Sequence, residues 1–250
     1  MAEKKIITIG KGDFAIMVDL ILAFFKGGGL AVAGAEELIE PILAGIHMFP
    51  ENQRVNIRES HHPGAAYDVQ SYVGRKQGYL HISEINAGKV ILAPHAAFTM
   101  EELRAATIRH TFQQIMLWNQ HGVEGTQETL MHPRLRLIRF LFEVIKGQDR
   151  LIHSYSPLFD DLMRPTGLAD KLRSLRARRT FGFGLADDFC AGLFALHSAW
   201  EGFESYLITD WCRSIDLPGT NGGPGTVEAM NRKLDEAGVI RITSDQLRAA

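Results

Sequence analysis

One stretch constrains the fold of this chain more than any other. Thr180 to Leu185 reads TFGFGL, and Ala186, Asp187, Asp188 and Phe189 lead from it into Cys190. Cys190 then opens a second apolar segment, Ala191 to Trp200. A short apolar run that ends in a turn and passes into helical periodicity reads as a buried parallel strand feeding a helix. In open α/β sheets, ligands bind where strand carboxyl ends meet helix amino ends. A thiol at a helix N-terminus has its thiolate favoured by the helix dipole and the unpaired N–H groups there. Cys190 is therefore a candidate nucleophile, although a small core residue at such a junction looks the same.

The same alternation runs through the chain. Lys5–Ile9 reads as a short edge strand and Phe14–Leu20 as a strong strand covered on both faces, with Asp19 at its end. Helical periodicity follows from Ala35 to Met48, then a strand from Gln53 to Arg58. Residues 65–95 are punctuated by glycines and predict an irregular functional loop or lid. Thr99 and Glu102 form a capping box that opens a helix to about Phe112. Leu135–Ile145 is apolar and closes with Lys146, and Thr166–Arg176 is helical. Glu204–Asp210 and Val239–Thr243 read as strands flanking a helix over Thr226–Ala237. This order predicts one domain over residues 1–250, a doubly wound, mostly parallel sheet with helices on both faces.

Composition narrows the function. A net charge of −2 gives no basic footprint for nucleic acid and none for a membrane surface. No apolar run is long enough to span a bilayer, and the start of the chain lacks a signal-peptide pattern. Cys190 and Cys212 do not make a disulfide scaffold, and a working thiol suits a reducing, cytoplasmic setting. Cys212 reads as structural. A homo-oligomer is compatible with the chain, and no segment points to its interface.

Several polar residues sit where chemistry is done. A carboxylate at the end of a buried strand, such as Asp19, is costly unless paired. Glu59 and His61 lie two apart at a strand end, so they point the same way and can grip one metal ion. Surface residues at a strand end show the same pattern. Lys146 finishes an apolar strand; beside a carboxylate it stays charged and helps hold a thiolate, and at an open edge it snorkels to water. Trp118 and His121 fall in a glycine-bearing loop, Leu117–Thr126, the kind of segment that carries binding residues. Lys26-Gly27-Gly28-Gly29 lacks the spacing of a phosphate loop.

Five blocks in order resemble the isochorismatase-like cysteine hydrolases, and most closely their nicotinamidase/pyrazinamidase branch. Val18-Asp19 through Phe24 with Gly27-Gly28-Gly29-Leu30-Ala31-Val32 resembles the family's VDxQNDF…GGxLAV opening. Glu59-Ser60-His61 resembles DWH, and Leu117 to Thr126 resembles LWPxHCVxGT. Lys146-Gly147 with Tyr155-Ser156 through Phe159 resembles KG…YSxF, and Gly184 to Cys190 resembles GxATDxC.

The resemblance implies an amidohydrolase acting on nicotinamide or a similar small carboxamide through a cysteine thioester. It implies Asp19, Lys146 and Cys190 as catalytic residues and the N–H groups of Ala186 and Cys190 as the oxyanion hole, with a cis peptide before Ala186. Phe24 and Trp118 match the aromatic walls around the substrate ring. Glu59, His61 and His121 match the ligands of a divalent transition metal, zinc, iron or manganese. His62 and His81 are further imidazoles nearby in the chain and are expected not to be ligands. Departures stand beside these matches: Ile21-Leu22-Ala23 replaces QND, Glu59 replaces the metal aspartate, Ala65 stands where many members have a histidine, and Asn119 and Gly122 replace proline and cysteine. Two other readings stay open at this point, a cysteine hydrolase acting on another amide or carbamoyl compound and an inactive binding homologue.

Overall fold

The computed structural model describes residues 5–108, 114–219 and 223–250. In chain order it contains β1 (Ile7–Ile9), β2 (Asp13–Val18), α1 (Ile39–Gly45), β3 (Arg54–Glu59), β4 (Gly78–His81) and α2 (Ile82–Asn86). It continues with α3 (Met100–Thr107), β5 (Gln114–Leu117), β6 (Phe142–Lys146), α4 (Leu168–Ser174) and β7 (Arg179–Leu185). α5 (Cys190–Trp200), β8 (Glu204–Arg213), α6 (Thr226–Glu236), β9 (Ile240–Ile242) and β10 (Leu247–Ala249) complete it.

The central sheet has six strands in the order β6-β3-β2-β7-β8-β9. Every neighbouring pair in it is parallel. The chain winds outward from β2 through β3 to β6, then returns to lay β7 on the other side of β2. β2 and β7 thus flank the topological switch point, where the crevice of such a sheet opens. Full burial on both faces explains why β2 is apolar at nearly every position. Phe181 packs on Phe49, which follows α1, with ring centroids 5.2 Å apart. The next residue, Gly182, faces Phe194 of α5, whose ring would lie 2.8 Å from an added Cβ. Successive strand residues point to opposite faces, so α1 and α5 cover opposite faces of the sheet.

Several expected boundaries shift. The edge strand near the start is β1, and it pairs with β10 away from the central sheet. The periodic segment Ala35–Met48 is α1 between two 3-10 turns, Ala35–Leu38 and Ile46–Met48, with Pro41 two residues past the start of α1. The helix capped by Thr99 is α3; the end expected near Phe112 lies outside the described residues. Residues 65–95 are irregular over much of their length but not throughout. They hold β4, which pairs antiparallel with β5, and α2. Leu80, Ile85, Leu103, Ile115 and Leu117 join Tyr67 and Tyr72 in a second apolar core beside the main one. The apolar residues of that segment follow no single period, so the sequence signal was too weak to show an element.

Candidate active site

The residues singled out by the sequence meet at the carboxyl ends of the central strands. Asp19 follows β2 and takes a left-handed backbone, φ 51°. Cys190 is the first residue of α5, just past β7. Glu59 ends β3 and Lys146 ends β6, and the two are direct partners in the parallel register. Lys146 Nζ lies 2.9 Å from Asp19 Oδ2 and 2.9 Å from Glu59 Oε2. It also donates to Cys190 Sγ at 3.4 Å. Asp19 is fully buried, and Glu59, Lys146 and Cys190 are no more than 5 % exposed. The ammonium therefore sits between two carboxylates and a sulfur in a dry pocket.

That burial decides the resting protonation. Burial works against the charge on Lys146, but Asp19, Cys190 and Glu59 together hold it well above the usual lysine range. Burial pushes Cys190 well above the ordinary thiol range, outweighing the pull of Lys146. The thiolate that a helix N-terminus favours is thus opposed by desolvation in a closed pocket. Burial raises Asp19 to about 7, against the pull of Lys146 and with a further push from Glu59. A neutral thiol beside a carboxylate poised near neutrality forms an acid–base pair matched for proton transfer.

Leu185–Ala186 is a cis peptide, as the resemblance implies. The Ala186 carbonyl accepts from the N–H groups of Phe189 and Ala191. Among the described residues the N–H groups of Ala186 and Cys190 have no acceptor. Both residues line a narrow cavity together with Phe24, Trp118, Tyr155 and Phe189. Trp118 Nε1 donates to Tyr155 Oη at 2.7 Å, and the rings of Trp118 and Phe189 meet edge-on at 4.9 Å. Phe189 and Tyr155 extend the pair of aromatic walls expected from Phe24 and Trp118.

A second polar centre shares Glu59. Its Oε1 faces His61 Nε2 at 3.2 Å and His121 Nε2 at 3.0 Å. His61 Nδ1 meets the Gly147 carbonyl at 3.1 Å, and His121 Nδ1 meets the Asn119 carbonyl at 2.7 Å. A carbonyl only accepts, so each Nδ1 carries a proton and each ring turns Nε2 toward the Glu59 carboxylate. Burial works against a charge on His121, but Glu59 holds it above the ordinary histidine range. Glu59 Oε1 and His61 Nε2 have no hydrogen-bond partner. A buried carboxylate oxygen flanked by two imidazole nitrogens suits a cation, and outer carbonyls that orient imidazoles are the usual support of a metal site. Two donors bound to one ion at about 2.0–2.1 Å lie about 2.9–3.4 Å apart, so both spacings fit. The longer carboxylate explains the dual contact: Glu59 offers one oxygen to Lys146 and the other to the imidazoles.

Gly147 permits this arrangement. Its φ is +75°, and an added Cβ would lie 2.7 Å from the His61 ring. Among the described residues, donor atoms lie within 4.8 Å of one another in two sets of three, Asp19–Glu59–Cys190 and Glu59–His61–His153. His121 reaches Glu59 but joins neither set. His153 was not singled out by the sequence. It lies beyond the turn after β6, and neither a motif nor a periodicity marks it. Burial holds it well below the ordinary histidine range, so the ring is neutral. His62 is half-buried with Nδ1 on the Pro63 carbonyl, and His81 is exposed on β4; neither enters these sets. Cys212 is buried in β8 and donates to the Ile208 carbonyl, a structural role.

No family model matches the chain. A nicotinamidase of Acinetobacter baylyi is 31% identical to it over 230 residues, covering 92% of this chain and 91% of that protein. A solved Acinetobacter baumanii nicotinamidase/pyrazinamidase superposes with a TM-score of 0.76 at 25% identity, over 94% of this chain and 98% of that one. The L. infantum protein PnC1, solved in complex with nicotinate, superposes with a TM-score of 0.70 at 26% identity, over 98% of this chain and all of that one (100%).

Proposed function

The chain belongs to the nicotinamidase family, and on that premise we infer that it hydrolyses nicotinamide to nicotinate and ammonia with Asp19, Lys146 and Cys190 as its catalytic residues. The observation that carries this reading is the single buried cluster in which Lys146 touches Asp19, Glu59 and Cys190.

The reaction follows from the protonation states. Cys190 Sγ attacks the carboxamide carbon while Asp19 takes the thiol proton, and the carbonyl electron pair moves to oxygen. That oxyanion is received by the N–H groups of Ala186 and Cys190, each donor of this kind being worth about 3 kcal/mol. The C–N bond then breaks as Asp19 returns the proton to nitrogen, releasing ammonia and leaving a thioester. A water molecule attacks the thioester carbon and gives a proton to Asp19. The C–S bond breaks, the sulfur takes the proton back, and the acid leaves. Lys146 stays charged throughout and holds the Asp19 carboxylate beside the sulfur.

Phe24 and Trp118 would grip the planar ring by stacking and burial. A divalent transition-metal ion would be held on Glu59 and His61, with His121 as the third ligand that the resemblance implies. Bound there, it supplies a Lewis-acid contact that fixes a ring nitrogen or water. Cys190 and Cys212 are both free thiols, which suits a reducing, cytoplasmic setting. Among the described residues no helix is long and apolar enough to cross a membrane.

The test is nicotinate formation from nicotinamide, followed with ammonia release. Wild type is expected to turn over and Cys190→Ala to lose the activity while staying folded. Equal rates in the two proteins reject the reading.

A further inference from the structure

His153 is 4 % exposed, and neither of its ring nitrogens has a hydrogen-bond partner. A buried polar group left unpaired costs about 1–3 kcal/mol, and this ring has two such atoms. The ring is held firmly, edge-on to Tyr155 at 4.0 Å and to Tyr67 at 4.6 Å between centroids. It is tilted against His61 at 5.1 Å. One of its nitrogens lies within 4.8 Å of both a Glu59 oxygen and a His61 nitrogen. It lines the cavity that also holds Cys190 and Ala186. A buried, tightly packed imidazole with both nitrogens unpaired, one of them within reach of a carboxylate oxygen and a second imidazole nitrogen, has the placement of a metal ligand.

We propose that His153 is a ligand of the metal centre built on Glu59 and His61, completing a carboxylate-and-imidazole set that the sequence motifs do not disclose. The inference rests on the metal centre of the preceding section but not on the identity of the substrate. In this arrangement Glu59 Oε1, His61 and His153 face one ion, and the Gly147 carbonyl orients His61 from behind. His121, on the same Glu59 oxygen at 3.0 Å, remains the ligand that the resemblance implies, and His153 adds a further imidazole. Because His153 also borders the substrate cavity, an ion so placed lies between the aromatic walls and the thiol.

The test uses the full chain stripped of metal and titrated with zinc against a chromophoric chelator. His153→Ala is expected to weaken zinc binding at least about 100-fold, at or beyond the upper end for loss of an outer-shell partner. His153→Gln, which keeps the side chain's bulk and polarity, is expected to show the same loss, with circular dichroism reporting the fold. A direct reading on the unaltered protein needs no variant: the cadmium-loaded, nitrogen-labelled chain is expected to show one-bond cadmium–nitrogen coupling in the His153 ring. Absence of that coupling, or unchanged zinc affinity in both variants, overturns the proposal. Nicotinate formation by wild type is scored separately. Turnover with a His153 ring uncoupled to the metal sinks this inference alone, and coupling without turnover sinks only the substrate assignment.

Discussion

Asp19 sits at the balance point of the site. Its carboxyl is raised to about 7, chiefly by burial. In the proposed mechanism only the ionised form takes the thiol proton, so protonation is expected to remove activity. As pH falls through about 7, kcat/KM for nicotinamide is expected to drop, approaching tenfold per unit, and to level off above it. The limb belongs to the coupled cluster of Asp19, Lys146 and Glu59, so its apparent value reports the group. A flat profile from pH about 5 to 8 contradicts Asp19 as the base. Glu59 shows how one methylene matters. The extra reach lets a single carboxylate face Lys146 with one oxygen and two imidazoles with the other, and so would join the proposed thiol chemistry to the proposed metal centre.

Strand ends and tight turns set the distances. Glu59 and Lys146 are paired by the register of β3 and β6, so a one-residue slip would turn both away from the site. The turn after β6 matters as much, because the Gly147 carbonyl accepts from both Tyr67 Oη at 2.7 Å and His61 Nδ1 at 3.1 Å. Gly147→Ala is expected to force the His61 ring aside, since the new Cβ would come within 2.7 Å of it at a φ of +75°. Zinc affinity should fall at least about tenfold, as for loss of an outer-shell partner, while the far-UV circular dichroism stays that of wild type. Metal titration of the variant checks this, and an unchanged affinity would remove Gly147 from the account.

For the whole molecule, the second apolar core has a functional consequence. Trp118 follows β5 and is tied to the neighbouring segment by two bonds, Trp118 N–H to the Tyr67 carbonyl and Val69 N–H to the Trp118 carbonyl. The packing behind β4 and β5 therefore holds one wall of the cavity proposed for the substrate. Leu80 is fully buried in that core. Leu80→Ala is expected to cost about 2–5 kcal/mol in urea unfolding. It should also raise KM for nicotinamide more than it lowers kcat, because the wall loosens and the Asp19–Lys146–Cys190 cluster does not. A kcat loss at unchanged KM would argue against this division.

Chain order alone settled much here. Continuous apolar runs mark buried parallel strands; Asp19 and Lys146 each stand at the end of one, where a polar group needs a reason, and Cys190 opens the helix that follows another. Glu59 and His61 were legible as a pair because two residues on a strand share a face. Other features depended on the folded chain. Whether Lys146 pairs or snorkels depends on which strand lies beside it, and β3 and β6 are 83 residues or more apart in sequence between their nearest ends (Glu59 to Phe142). The neutral thiol depends on how deeply Cys190 is buried, a quantity no local pattern carries. His153 reaches Glu59 and His61 only through the turn after β6, so nothing adjacent in sequence announces it. Periodicity reports which face a residue presents, whereas distances across a pocket and the exclusion of water arise only when segments far apart in the chain are packed together.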